Sequence, residues 1–186
     1  MSIVLGYDPV TLQEKVDLAA LAERLDELGD LRSSAALNEK VGLLRLANRL
    51  DEAWDVANEA VRQARFGGDR EALVFARVRR AQVQRSQGKF EAALVELSDC
   101  VMEAGRHEWA SAEAFALQHR GKVHFDQTEY EAALRDFRAA LTIRVRIKAP
   151  ANQIDSSMMS ISVTESFLAD PPTSAPPMPV DFPAGR

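Results

Sequence analysis

The sequence predicts an all-α fold, a stack of antiparallel helical hairpins with about eight helices, and three observations carry that prediction. A pentad recurs: Phe90-Glu91-Ala92-Ala93-Leu94 returns forty residues later as Tyr130-Glu131-Ala132-Ala133-Leu134, and a degraded copy, Leu50-Asp51-Glu52-Ala53-Trp54, stands forty residues earlier. Glycine and proline are scarce between Thr11 and Arg146, where Ala, Leu, Glu and Arg dominate, so local propensity favours helix nearly throughout. No stretch alternates as a half-buried strand would. Short breaks separate amphipathic segments of helical length, two to each period. A period of this size with two helices per unit means hairpins that bury their apolar faces only against their neighbours.

The first helix is expected from about Thr11 to Leu28, because "TLQE" reads as a capping box in which Thr11 accepts from the amide of Glu14 and Glu14 reaches back. Gly29-Asp30 ends it. Later breaks fall at Asn48-Arg49, Gly67-Gly68-Asp69, Gly88-Lys89, Gly105-Arg106 and Thr128-Glu129. Asn48, Gly88 and Thr128 form one column, the first two being residue types that tolerate the left-handed conformation ending many helices. Residues 1–32 are thus expected to hold an N-terminal segment and capping helix, 33–150 three hairpins, 151–170 a helix covering the last apolar face, and 171–186 a tail. That tail, "PPTSAPPMPVDFPAGR", contains six of the eight prolines and reads as extended chain.

Columns of small or apolar residues share the register: Ala36, Ala76, Ala116; Val41, Ala81, Gly121; Leu43, Val83, Val123; Ala53, Ala93, Ala133; Ala57, Leu97, Phe137; and Ala60, Cys100, Ala140. Small residues at crossings let helices approach closely, and large ones a turn away fill the space beside them. Lys40, Arg80 and Arg120 make a basic column, and sixteen residues after each stand Val56, Glu96 and Asp136. Arg80 with Glu96 and Arg120 with Asp136 are therefore expected to pair across their hairpins.

A small residue in the first helix, a break, an aromatic, then two small residues seven apart: written as "RRAQVQRSQGKFEAALVELSDCV" and "HRGKVHFDQTEYEAALRDFRAAL", this pattern resembles tetratricopeptide repeats from about Ser34 to Lys148. The usual repeat is about 34 residues, so this chain resembles the longer-helix variety. The resemblance implies a right-handed superhelical stack in which the first helix of each hairpin lines a concave face. On this sequence that face carries Asn38, Gly42 and Arg45, then Phe75, Val78, Gln82 and Arg85, then Phe115, Gln118, Lys122 and Phe125. It is basic and aromatic, whereas the second helices of the first two repeats are acidic. The expected partner-binding residues are Arg45, Phe75, Gln82, Arg85, Phe115, Gln118, Lys122 and Phe125. Relatives that clamp a C-terminal carboxylate set Lys and Asn at fixed inner positions, and here Asn38 and Lys122 match only singly.

Chemistry is scarce. The three histidines are His107, His119 and His124, and the last two, five apart, lack the i, i+4 spacing of a helical metal pair. Cys100 shares a column with alanines and is expected to be a buried, inert thiol. Gly67-Gly68 precedes Asp69, which caps a helix instead of opening a phosphate loop. No metal, cofactor or catalytic residue is expected. A net charge of -5 weighs against phosphate-backbone binding. The lone cysteine, the absence of a leader-like start and the lack of a long apolar run point to a cytoplasmic, non-membrane protein. The expected function is a non-enzymatic scaffold for a protein or peptide that is acidic with apolar anchors. Two alternatives stay open: a homodimerisation module using the C-terminal repeat or the Met158-Met159 helix, and a nucleic-acid-binding repeat using "RVRRAQVQR".

Overall fold

Two columns of left-handed residues, each repeating at forty, set the path of the chain in the computed structural model, which describes residues 3–8 and 10–170. Asn48 (φ 58°), Gly88 (φ 73°) and Thr128 (φ 62°) occupy one column; Gly68 (φ 74°), Glu108 (φ 58°) and Lys148 (φ 53°) occupy the other. Glycine adopts this conformation freely, while Glu108, Thr128 and Lys148 are held in it by the helices on either side. Among the described residues the chain forms β1 (Val4–Tyr7), β2 (Glu14–Val16), α1 (Leu18–Leu28), α2 (Ser34–Leu46), α3 (Leu50–Gly67), α4 (Arg70–Ser86), α5 (Phe90–Arg106), α6 (Ala110–Asp126), α7 (Tyr130–Arg146) and α8 (Ala151–Ala169). The proline-rich segment 171–186 lies outside the described residues. No described helix is long and apolar enough to cross a membrane.

Two sequence expectations need correction. Gly105 stays helical, and the chain reverses at His107–Trp109, where the amide of Trp109 returns to the carbonyl of Ala104 at 3.0 Å. The register, with Glu108 beneath Gly68, places the turn, and the glycine does not. The larger difference is at the N-terminus, where no helix starts at Thr11. The Asp8 carboxylate accepts from the amides of Val10 and Thr11, each at 2.9 Å, and from the Thr11 hydroxyl at 3.2 Å. That side-chain turn competes with helix initiation and lets β1 and β2 pair antiparallel, Tyr7 opposite Glu14 and Val4 opposite Val16. Helix α1 begins after Asp17, which caps the amides of Ala19 and Ala20 at 3.0 and 3.1 Å.

Each helix from α1 to α8 packs on the next, and α2, α4 and α6 also lie side by side. Within a hairpin the direction reverses: the Cys100 sulfur lies 4.0 Å from the Val74 carbonyl near the open end, while Arg80 meets Glu96 halfway along. The core runs between successive helices, and the small-residue columns fill it. Ala53, Ala93 and Ala133 are completely buried, as are Ala57, Leu97 and Phe137. Volume is exchanged across each crossing, since Val41 stands with Ala57, Ala81 with Leu97, and Gly121 with Phe137. As the residue on the first helix shrinks, its partner on the second grows. A Cβ on Gly121 would lie 2.7 Å from the Phe137 ring.

The paired arginines tie the hairpins to one another. Arg80 holds Glu96 at 2.5 and 3.2 Å and also donates to Asn58 of α3 at 3.2 Å. Arg120 holds Asp136 twice at 2.7 Å and reaches Ser98 of α5 at 3.5 Å. Asn58 and Ser98 are themselves forty apart, so each arginine joins its own hairpin to the preceding one in the same way. Lys40 lacks an acid at position 56 and instead donates to the carbonyls of Gly29 and Leu31, at 2.6 and 2.7 Å.

Gly121→Ala should lower stability by about 1 to 3 kcal/mol, the usual cost of overpacking a filled core. Adding Phe137→Leu, which recreates the Ala81–Leu97 pair, should recover most of that loss. Thermal melts of the two single variants and the double variant measure the coupling directly.

Candidate functional site

Three helices carry the expected partner-binding residues, and they bring part of the set together on one face. Arg45 comes from α2, Phe75, Gln82 and Arg85 from α4, and Phe115, Gln118, Lys122 and Phe125 from α6. Residues forty apart occupy equivalent places on neighbouring helices, which is why Arg45 and Arg85 are adjacent to Lys122, three residues before the end of the same column at Phe125. Phe75 and Phe115 meet at a 38° tilt with 5.6 Å between centroids, and the Arg79 guanidinium lies 5.6 Å above the Phe115 ring. Gly42 leaves room for it, since a Cβ there would sit 3.4 Å from Arg79 Nη1. Arg85 is held bidentately by Asp126 at 2.6 and 2.9 Å.

The chain itself lies over part of this face. The β1–β2 hairpin directs the Glu14 carboxylate between Arg45, at 3.4 and 3.5 Å, and Lys122, at 3.3 Å. The Tyr7 ring sits 5.1 Å from the Lys122 ammonium. Two residues before Glu14, Leu12 is buried to 1% exposure and joins Phe125, Ala133, Phe137 and Val163 in one apolar cluster. A turn-and-strand segment bearing a leucine and a carboxylate therefore occupies the end of the face nearest α7 and α8.

Electrostatics follow from this crowding. Burial alone would raise the Glu14 pKa, but Lys122, Arg45 and Arg85 together hold it well below the usual carboxylate range. Lys122 is not held up symmetrically by its partner: burial, aided by Arg85 and Arg45, brings it down to about 8 against the pull of Glu14. Positive charge is in excess here. His119, which meets Phe115 edge-on at 4.7 Å, is held well below its ordinary pKa by burial and by Lys122, with Arg45 and Arg85 adding to the effect and Glu14 opposing it.

The remaining expected residues are placed differently. Gln118 is 2% exposed and engaged by the last helices: it donates to Ser160 at 3.0 Å and accepts from Arg144 at 3.1 Å and Ser157 at 2.7 Å. Phe125 is 6% exposed and makes edge contacts with Tyr130 and Phe167. Gln82 is 7% exposed, and its Nε2 lacks a hydrogen-bond partner. Sequence reading missed Tyr7, Leu12, Glu14, Arg79, Asp126 and Arg144. The Asp8-Pro9 dipeptide is a turn signal that could have flagged the hairpin, and Ser157, Ser160 and Thr164, spaced three and four apart, trace the polar stripe that meets Gln118.

Cys100 is completely buried, and burial pushes its thiol up to about 12, with Arg77 opposing, so it carries no thiolate at neutral pH. Among the described residues no group of three or more His, Cys, Asp and Glu side chains could hold a metal ion. No protein-family model matches the chain, and no curated protein or solved structure matches it.

His119 sets a pH window. Its pKa in the folded chain lies below the ordinary 6.5, so the unfolded chain takes up the proton first and stability falls as pH drops below about 6.5. The Glu14 contribution is fully present above the ordinary 4.5 and is lost only as pH falls further. The melting temperature should therefore decline from pH 7 to pH 5, and His119→Gln should flatten that decline while leaving the steeper loss below pH 4.5. Calorimetry across this range checks both limbs.

Proposed function

We propose that this chain is a tetratricopeptide-like, right-handed stack of helical hairpins that binds a protein or peptide segment along the α2–α4–α6 face and catalyses no reaction. One observation carries the reading: the face already accommodates a hairpin segment that presents an acidic side chain to Arg45 and Lys122 and a leucine to an aromatic cluster. A partner with acidic and large apolar residues meets the same chemistry. Arg79, half-buried over Phe115, has no carboxylate in contact among the described residues, and beside it the tilted Phe75–Phe115 pair offers apolar area on rigid side chains. Exposed charge pairs contribute only about 0 to 1 kcal/mol each, so the aromatics must supply most of the affinity and the cations the orientation. A preformed face loses little ordering free energy on binding.

A peptide library displayed against the full chain should enrich sequences with Glu or Asp beside Leu or Phe. The enriched peptides should bind Arg79→Glu at least tenfold more weakly and with a shallower salt dependence, and Phe75→Ala with Phe115→Ala should abolish binding, all with unchanged helicity by circular dichroism. Equal affinity for these variants would place the binding surface elsewhere.

A second reading has one supporting feature: Met158 and Met159 on α8 are 55% and 42% exposed, an apolar pair suited to self-association. Light scattering over a concentration series decides it, since a dimer through α8 should weaken at Met158→Glu and a monomer at every concentration removes the idea.

A further inference from the structure

We propose that the N-terminal hairpin is a ligand bound in cis, and that the partner of the α2–α4–α6 face is a segment carrying the same Leu-x-Glu pattern, its leucine at a turn and its glutamate opening the strand that follows, which competes with the hairpin for its place. The inference rests on the binding reading above and goes further, naming the motif and the competitor.

Four features separate this hairpin from an ordinary structural cap. Leu12, completely buried, sits at φ 54°; a bulky residue is seldom found in that conformation, and it persists only where the surroundings over-determine it, typically at ligand clamps and switches. The side chain is thus inserted against the preference of its own backbone. Second, the contacts of Glu14 are long, 3.3 to 3.5 Å, whereas Asp126 holds Arg85 on the same face at 2.6 and 2.9 Å. The carboxylate attracts its cations without matching their hydrogen-bonding geometry.

Third, the face keeps polar capacity that the hairpin does not use. Among the described residues Arg45 Nε, Gln82 Nε2 and His119 Nδ1 are buried without hydrogen-bond partners, and such orphans are uncommon in a finished interface. Fourth, the hairpin is small. Its strands span four and three residues, and an isolated pair of that size is marginal in water, so its order depends on docking. Asp17 links it to α1, capping Ala19 and Ala20 while its own amide donates to the Ile3 carbonyl at 2.9 Å, and among the described residues Ile3 is the hairpin's one side chain packed on the cluster of Leu21, Leu28, Ala36 and Leu43 between α1 and α2. Release would leave the helices intact while exposing Arg45 and Lys122 as unpaired cations, and an acidic segment in trans would be drawn to them.

The test uses a fluorescein-labelled peptide of residues 3–17 as the probe, titrated by anisotropy into the full chain and into the full chain carrying Leu12→Asp and Glu14→Lys. The double variant sets an acid in the apolar cluster and a cation between Arg45 and Lys122, so its own hairpin should leave the face. It should bind the probe at least tenfold more tightly than wild type, while a probe with the same two substitutions binds neither chain. Hydrogen exchange on wild type gives a readout that needs no variant: excess probe should raise exchange in residues 3–17 and leave α3 and α5 unchanged. If the double variant loses helicity, Glu14→Gln replaces it, with an expected gain of two- to fivefold.

Equal binding by wild type and variant, with no change in exchange, overturns the competition. A released chain that ignores the probe yet still binds library-selected peptides in an Arg79-dependent manner overturns the cis ligand and leaves the binding face standing. Selected peptides that bind the released chain regardless of Arg79→Glu overturn the face itself.

Discussion

The close approach of helices at the alanine columns is the constraint on which the rest of the structure depends. Ala53, Ala93 and Ala133 leave no space at the crossing of each hairpin, and close crossings of this kind fix both the separation and the rotation of the helices that meet there. Because the crossing residues repeat at forty, every hairpin is presented to the next in the same orientation, and residues forty apart become lateral neighbours. The convergence of Arg45, Arg85 and Lys122 is a consequence of that packing. No local sequence feature brings these three cations together; the columns do.

Packing alone would leave the face electrostatically costly. Arg45 and Lys122 have side chains only 12% and 3% exposed, and burying an ammonium or guanidinium without a counter-charge costs several kcal/mol. Arg85 has Asp126, supplied by the end of the adjacent helix α6. Arg45 and Lys122 have no acid on a neighbouring first helix, and Glu14 of the hairpin serves both. The depressed pKa of Lys122 records the shortfall, since burial and two arginines outweigh one shared carboxylate. Elsewhere the chain resolves the same problem internally: Arg144, 4% exposed, gives its donors to Gln118, Ser157 and the carbonyl of Gln153. These neutral oxygens all accept from its Nη1, while its Nε is buried without a partner among the described residues.

Much of the helical frame was legible in the sequence because it is set by periodic choices. The columns from Ala36 to Ala140 are all buried, and the Arg80–Glu96 and Arg120–Asp136 pairs form as their spacing requires. The turn at Glu108 was less legible, since nothing in a glutamate announces a left-handed residue; its place forty beyond Gly68 does. The hairpin was least legible. Thr11, Gln13, Glu14 and Lys15 suit a helix start as well as a strand, and what decides between them is distant: Lys122 lies 108 residues from Glu14. Tertiary contacts of that separation override local propensity without leaving a periodic trace. The inner positions of the face showed the same limit. Gln118 shares a helix with Phe115 and Lys122, yet the serines of α8 draw it into a buried network that no forty-residue column encodes.

A β-hairpin is also a physically apt occupant for such a face. A seven-residue pair of strands owes its order to the surface beneath it. Docking and folding of the hairpin are then one equilibrium, with the strained Leu12 and the long Glu14 contacts opposing it and the burial of Leu12 favouring it. Segments of low local stability are the ones a fold can release without opening its core, and here the core, held by the alanine crossings and the paired arginines, lies between the helices beneath. The strongest local order and the weakest thus meet along one surface, and the cations on that surface belong to the rigid side.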